Sequence, residues 1–496
     1  MPRIYLRVRE LPHTVVVEIV REPDELAIER DVEARTPLVL ADLHIHRSTV
    51  IPESIRAHYS RHVDQIEPIR VLADGTIKQV NPFSGTQVWT VPGRANRPIA
   101  SATPKPEPIV EEKLGHYCAF CEGRQLETPP EKARVVRDGD DWRTLEGVCA
   151  RELTASIAEF RRVPNLFEIM SVDYWEENHG YTAPPEIVER RWSYLSDSAG
   201  FAHVMAVAKA KAHASGVYSW DSLSDDERLA WADNFFDGGH DVVIGRRHFI
   251  DGAESESELA GSGTLTPEEH YRFTRFTVET MRDLYEFSPK VRYVAAFQNW
   301  LRPAGASFDH LHKQLVAIDE VGAAAEREHE RVAANPNIYN EFAVNYAAEH
   351  GLLLAANDGA IAFAGFGHRY PTLEVFSTSP SLEPWMHSED EIRAVSDLVH
   401  ACHAATGAEV ATNEEWYHQP RDFDLQMPWR IMLKWRISNL AGFEGSTKIN
   451  VNTISPFDLH ERVLGRMLDL RREGRIAPMR LGSECAIPKD PLRYLG

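Results

Sequence analysis

Three side chains in the run Phe308-Asp-His-Leu-His-Lys-Gln-Leu-Val-Ala-Ile318 have the types and spacing for chemistry at phosphorus: His310, His312 and Gln314. The run ends in Leu315, Val316 and Ile318, which favour a strand, and side chains two apart on a strand share a face with a repeat of roughly 7 Å. Two imidazoles and a carboxamide then point the same way. A neutral imidazole is a nucleophile toward phosphorus, and a carboxamide beside it can hold a phosphoryl oxygen. Just upstream, Asn299 and the Gly305-Ala306-Ser307 turn add a polar side chain and free backbone amides. A His-x-His pair alone is also the mark of an exposed strand or a structural metal ligand, so its company along the chain decides the reading.

That company begins with Cys118-Ala-Phe-Cys121, followed by Thr128-Pro-Pro130. Two cysteines so spaced are a redox couple or half of a zinc site. The nearby prolines disfavour the helix that a redox motif opens, so zinc is preferred, with histidines elsewhere as the remaining ligands. Cys149, Cys402 and Cys485 are isolated and are expected to be buried or inert. Arg94 and Arg97, three apart after a strand, suit a diphosphate clamped by guanidinium forks. Asn165 follows a proline at a strand-to-loop corner, where it can contact a ligand. A second His-x-His, in Asp42-Leu-His-Ile-His46, has no downstream partners and reads as an ordinary strand.

The elements that position these residues are written in period and capping. Two short strands are expected between Ile69 and Pro98, followed by a Pro-rich linker. A buried strand is expected over Gly239–Ile244, with His248 just beyond it. Thr266 with Glu269 forms a capping box on a helix reaching Phe287, and a strand over Val291–Phe297 leads into the Gly305 turn. The second half repeats the order: a strand over Tyr370–Phe376, a helix capped by Ser388 with Glu391, and a strand over Trp429–Ile437. Strand, capped helix and strand occurring twice predict a duplicated α+β unit. Where the first copy has His310-Leu-His312, the second has Pro428-Trp-Arg430.

Composition narrows the class. The 496 residues are 43% hydrophobic and 26% charged, which is globular, and 75 acidic against 54 basic side chains give a net charge of -21. That balance argues against a nucleic-acid binder while leaving room for a local basic pocket. Five cysteines do not make a disulfide framework. With no signal-peptide layout and no long apolar run, a soluble cytoplasmic protein without a membrane partner is expected.

In this order the motifs resemble the galactose-1-phosphate uridylyltransferase family, a branch of the histidine-triad superfamily. The resemblance rests on Arg94 and Arg97, Cys118-x-x-Cys121 with Thr128-Pro-Pro130, Pro164-Asn165, His248, Asn299 with Gly305-Ala-Ser307, His310-Leu-His312-Lys-Gln314, and a Gly442-Phe443-Glu444 turn with Asn452 and Ser455-Pro456. It spans about residues 69 to 470. The implied fold is α+β, with duplicated histidine-triad-like units of antiparallel sheet flanked by helices. An N-terminal extension over 1–68 would precede a catalytic half over 69–320 and a half lacking His-x-His over 321–496.

The resemblance implies a nucleotidyltransferase. His312 would attack the α-phosphorus of a nucleotide sugar and carry the nucleoside monophosphate to a sugar 1-phosphate, most simply between UDP-hexose and hexose 1-phosphate. Gln314 and Ser307 would hold phosphoryl oxygens, Arg94 and Arg97 the diphosphate, and Asn165 the nucleotide. Asn299, Gly305 and Ala306 would complete the phosphate-binding segment, and Phe443 and Glu444 would face the sugar, across a homodimer interface as in the family. Cys118, Cys121, His248 and His310 would hold one structural zinc. An ADP-sugar or dinucleoside-polyphosphate phosphorylase using the same histidine is the near alternative, and a non-catalytic zinc-stabilised nucleotide binder is the distant one. The chain departs from the family at Lys313, expected to point away from His312 into solvent. It departs again at Pro428 and Arg430, which replace the histidine pair of a second metal site. Glu328 and His418 remain as isolated potential ligands, so no second metal is expected.

Overall fold

The computed structural model describes residues 4–11, 14–21, 67–93, 106–438 and 440–495. The chain divides into two units, Met1–Pro52 and Glu53–Gly496. In the first, Ile4–Leu11 and Thr14–Arg21 pair as an antiparallel hairpin. Asp42 to His46, Arg94 and Arg97 lie outside the described residues.

The second unit is built on a twelve-stranded sheet. In chain order its strands are β1 Ala133–Asp138, β2 Asp141–Glu146, β3 Ala158–Pro164, β4 His240–Gly245, β5 Tyr293–Trp300 and β6 His312–Ile318. They continue as β7 Leu353–Ala356, β8 Ala360–Ala364, β9 Thr372–Ser377, β10 Thr412–Tyr417, β11 Arg430–Trp435 and β12 Arg480–Leu481. The spatial order is β12-β7-β8-β9-β11-β10-β5-β6-β4-β3-β1-β2. Outward from the β5–β10 junction the two sides match: β5, β6, β4, β3 on one and β10, β11, β9, β8 on the other. The helix inserted between β4 and β5, α1 (Pro267–Phe287), corresponds to α2 (Glu389–Thr406) between β9 and β10. The duplication expected from the sequence is therefore present, fused edge to edge into one sheet.

Both helices start where their capping boxes stand. Thr266 accepts from the Glu269 amide and Ser388 from the Glu391 amide, while each glutamate bonds back to its cap. Their apolar faces cover one side of the sheet. Along β5 the burial alternates, with Val294, Ala296, Gln298 and Trp300 turned under the helices and Tyr293, Ala295, Phe297 and Asn299 on the opposite face. Register fixes which residues share that opposite face. Phe297 stands across from Gln314 on β6 and Glu415 on β10, Asn299 from Asn413, and Asn413 from Lys434.

Several expectations are corrected. The segment after Ile69 forms three strands rather than two, Ile69–Val71, Ile77–Val80 and Gln87–Thr90, and Ile449–Asn452 adds to the last in parallel. The parallel addition comes from a distant part of the chain, which local pattern does not show. Gly442–Thr447 is a short helix, not a turn, with Glu444 bonded back to the Ala441 amide. Cys149 is exposed, whereas Cys402 and Cys485 are buried. Lys313 is fully buried. It points away from His312, but that side of the sheet is covered by helices, and its ammonium pairs with Glu414, which also accepts from Trp416 and His403. Burial alone would raise the Glu414 carboxyl, yet Lys313 and His403 hold it well below the usual carboxylate range.

Candidate active site and metal centre

The site begins where β6 begins. The strand opens at His312 rather than His310, so His310 lies in the preceding segment and is free to turn toward the Cys118–Cys121 loop. Its Nε2 donates to the Gly245 carbonyl at 2.7 Å, which leaves the Nδ1 lone pair facing the two sulfurs. Cys118, Cys121, His248 and His310 are the group among the described residues whose donor atoms lie within 4.8 Å of one another. The sulfurs are 3.8 Å apart, the sulfur-to-Nδ1 distances are 3.4 to 3.9 Å, and the two Nδ1 atoms are 3.2 Å apart. A zinc tetrahedron with bonds of about 2.3 Å to sulfur and about 2.1 Å to nitrogen has edges of about 3.8, 3.6 and 3.4 Å. The four residues fit that ion. Cys118 donates toward Cys121, and with both imidazoles nearby this holds the Cys121 thiol low while pushing the Cys118 thiol up. A Cys2His2 set leaves no open position, so a bound zinc supplies rigidity rather than chemistry.

Two residues downstream, His312 Nδ1 lies 2.7 Å from the His310 carbonyl. A carbonyl only accepts, so Nδ1 carries the proton and Nε2 keeps its lone pair in the neutral ring. Burial pushes the His312 imidazolium down to about 4, which favours that neutral form near pH 7. The ring is 3% exposed. Phe120, from between the two cysteines, stands edge-on to it at 5.1 Å and packs on Phe308 at 4.5 Å. Beneath lie Val163, Val242 and Ile244, an apolar floor from β3 and β4.

Gln314 is oriented by a residue the motif reading missed. Ile169 donates its backbone amide to His240 Nδ1 at 3.3 Å, so the His240 proton sits on Nε2. Nε2 then donates to Gln314 Oε1 at 3.1 Å, and Asn165 Nδ2 donates to the same oxygen at 3.3 Å. With its oxygen doubly engaged, the Gln314 carboxamide presents its NH2 outward as a donor. His240 is buried and pushed down to about 4 by that burial, so it stays neutral in this role. The signal was available: His240, Val242 and Ile244 alternate on β4, which pairs with β6. Asn165 itself is held by accepting from the Phe167 amide.

Asn299 accepts from Asn413, which also donates to the Ala304 carbonyl, tying the Gly305-Ala306-Ser307 turn to β10. Gly305 has φ of 92°, a conformation that favours glycine, and Leu301 at the start of the turn has φ of 65°, a strained value for a branched side chain. Ala306 is buried and Ser307 exposed. The structure thus brings together the four candidate metal ligands and, separately, His312, Gln314 and Asn165. Phe443 and Glu444 stand elsewhere: Phe443 is 45% exposed and packs on Trp89 at 6.1 Å, and Glu444 caps its own helix. Glu328 pairs with Arg430, and His418 accepts from Tyr285.

Among the described residues no helix is long and apolar enough to cross a membrane. No curated protein matches the chain. An ADP-glucose phosphorylase from Arabidopsis thaliana, solved with bound ADP-glucose, is similar with 16% identity and a TM-score of 0.52, covering 78% of this chain and 98% of that one. A galactose-1-phosphate-uridylyltransferase-like protein from the same plant is similar at 14% identity with a TM-score of 0.47, over 78% and 98%. At 16% identity the likeness to the phosphorylase is one of fold. Residues 72–494 match the family described as "Domain of unknown function (DUF4921)", and the chain belongs to that family.

Proposed function

We propose that the protein transfers a nucleoside monophosphate from a nucleotide sugar to a phosphate-bearing acceptor through a covalent intermediate on His312. The observation that carries the reading is the pairing of two preset groups on β6. One is an imidazole whose Nδ1–H is held by the His310 carbonyl, and the other is a carboxamide whose oxygen is tied down so that its NH2 faces outward. Nε2 of His312 forms a bond to the α-phosphorus while the bond to the bridging oxygen breaks, releasing a sugar 1-phosphate. The acceptor phosphate then attacks the same phosphorus and frees the imidazole. Gln314 steadies the phosphoryl oxygens, worth about 3 kcal/mol for a donor preset in this way. Asn165 and Gln314, both half-buried, mark the side from which the nucleotide reaches the ring, since Phe120 covers the other. Zinc, held by Cys118, Cys121, His248 and His310, would fix the segment that presents His312.

The acceptor is the open variable, and both a sugar 1-phosphate and inorganic phosphate fit the same step. Incubation with UDP-glucose, ADP-glucose or diadenosine tetraphosphate, followed by intact mass measurement, reads the donor from the added nucleotidyl mass. Chasing the adduct with glucose 1-phosphate or with inorganic phosphate then separates transferase from phosphorylase. No adduct with any donor, alongside ordinary nucleotide binding, would leave the non-catalytic binder as the better reading.

A further inference from the structure

The second half carries its own cavity, on the same face of the sheet as His312 but three strands away, about 14 Å across at ordinary strand spacing. It measures 390 Å³ and is enclosed by β10, β11, the Asn81–Thr86 turn, the helix Gly322–Ala334 and the loop before β9. Its charge is unlike that of the rest of the chain. Arg369, Arg430, Lys434 and Arg436 line it against two carboxylates, Glu328 and Glu415, in a protein of net charge -21.

Arg430 opens β11 as His312 opens β6, and it is 2% exposed. One of its terminal nitrogens, Nη2, holds Glu328, while Nε and Nη1 are buried without a partner. Rings of Phe83, Tyr339 and Tyr417 surround the guanidinium at 4.9 to 5.5 Å, so it cannot swing out to water. Two more donors at the same cavity are unsatisfied: Nε of Arg436, and the hydroxyl of Tyr370, whose side chain is 7% exposed. Buried N–H and O–H groups left unpaired destabilise the free protein, and a ligand oxygen offsets that cost. Arg436 and Arg369 stand over the Tyr370 ring at 4.7 and 4.8 Å, and Lys434 lines the same cavity two residues from Arg436, whereas Arg430 lies six residues along the strand, roughly 20 Å away at the backbone. The excess of positive charge around Tyr370 suits an acceptor-only, doubly charged group.

We infer that this cavity binds a phosphate dianion, free or as a phosphomonoester, at a site distinct from the His312 centre. The inference does not depend on the proposed catalysis, because the His312→Ala variant retains every group that forms the cavity. The test is calorimetric titration of the full-length His312→Ala protein with inorganic phosphate and, separately, with glucose 1-phosphate. Saturable binding is expected that includes one site per chain weakened at least about tenfold by Arg436→Met through loss of a charge-assisted contact, while any acceptor binding at the His312 centre is unchanged by that variant. Tighter binding of glucose 1-phosphate than of phosphate identifies the ester as the ligand, and the reverse identifies the free ion. Circular dichroism checks folding of the variant, and Tyr370→Phe, which removes only the unpaired hydroxyl, gives a second route to weaker binding. No saturable binding in the parent protein, or binding unchanged by both variants, overturns the site.

Discussion

His312 and Arg430 begin corresponding strands of a duplicated sheet, and their surroundings differ in kind. Around His312 the neighbours are uncharged: a backbone carbonyl, the Phe120 ring, an aliphatic floor and a carboxamide. The ring stays neutral with one nitrogen free, which is what attack on phosphorus requires. Around Arg430 the neighbours are aromatic rings and one carboxylate, and the guanidinium is pushed still further toward its charged form; burial opposes this, but Glu328 outweighs it. A group that keeps its proton can bind an anion and cannot be a nucleophile. The same backbone position thus carries a neutral imidazole in one half and a fixed positive charge in the other.

The contrast is broken most severely at the metal centre. Cys118→Ser, or stripping with a chelator, is expected to cost bound zinc and several kcal/mol of stability together, because the four donors come from three segments distant in sequence and no other such donor group occurs among the described residues. Metal content with thermal unfolding checks this, and full zinc in Cys118→Ser would remove that residue from the ligand set. Next in size is Lys313→Met, which strands the Glu414 carboxylate in the core between the halves and is expected to cost about 3 to 5 kcal/mol in denaturant unfolding. An exposed pair such as Arg143 with Asp138 should cost less than about 1 kcal/mol by the same measure. Gln314→Ala should lower the rate of adduct formation about 100-fold, near 3 kcal/mol. Met432, in the second half across from Glu415, should show no such effect when changed to Leu. The smallest effect is expected at His240→Leu, a positioning change that removes the donor to Gln314 Oε1 and lets the Gln314 amide rotate. It should slow adduct formation a few-fold without altering metal content, and His240→Gln, whose amide supplies a donor again, should recover most of the rate.

Much of this was legible in the chain. The capping boxes at Thr266 and Ser388 and the buried β4 strand are local signals, and each element formed where its signal stood. The His-x-His strand opens two residues late, at His312, so His310 does not share its face. The metal set was readable only through the resemblance, because His248 and His310 lie far in sequence from Cys118 and Cys121. What could not be read was long-range. Lys313 was expected in solvent because alternation tells which face a residue takes but not what covers that face. The alternation of His240 with Val242 and Ile244 marks its face, but its bond to Gln314 exists only once β4 is paired with β6. The fourth strand of the small sheet, Ile449–Asn452, joins Gln87–Thr90 from the other end of the chain.

The central claim is that one imidazole carries the nucleotide, and peptide mapping after exposure to a nucleotide-sugar donor tests it most directly. The prediction is a single nucleotidyl mass on the peptide containing His312, absent in a folded, zinc-loaded His312→Ala protein. A persistent adduct in that variant, or one on any other residue, would contradict it.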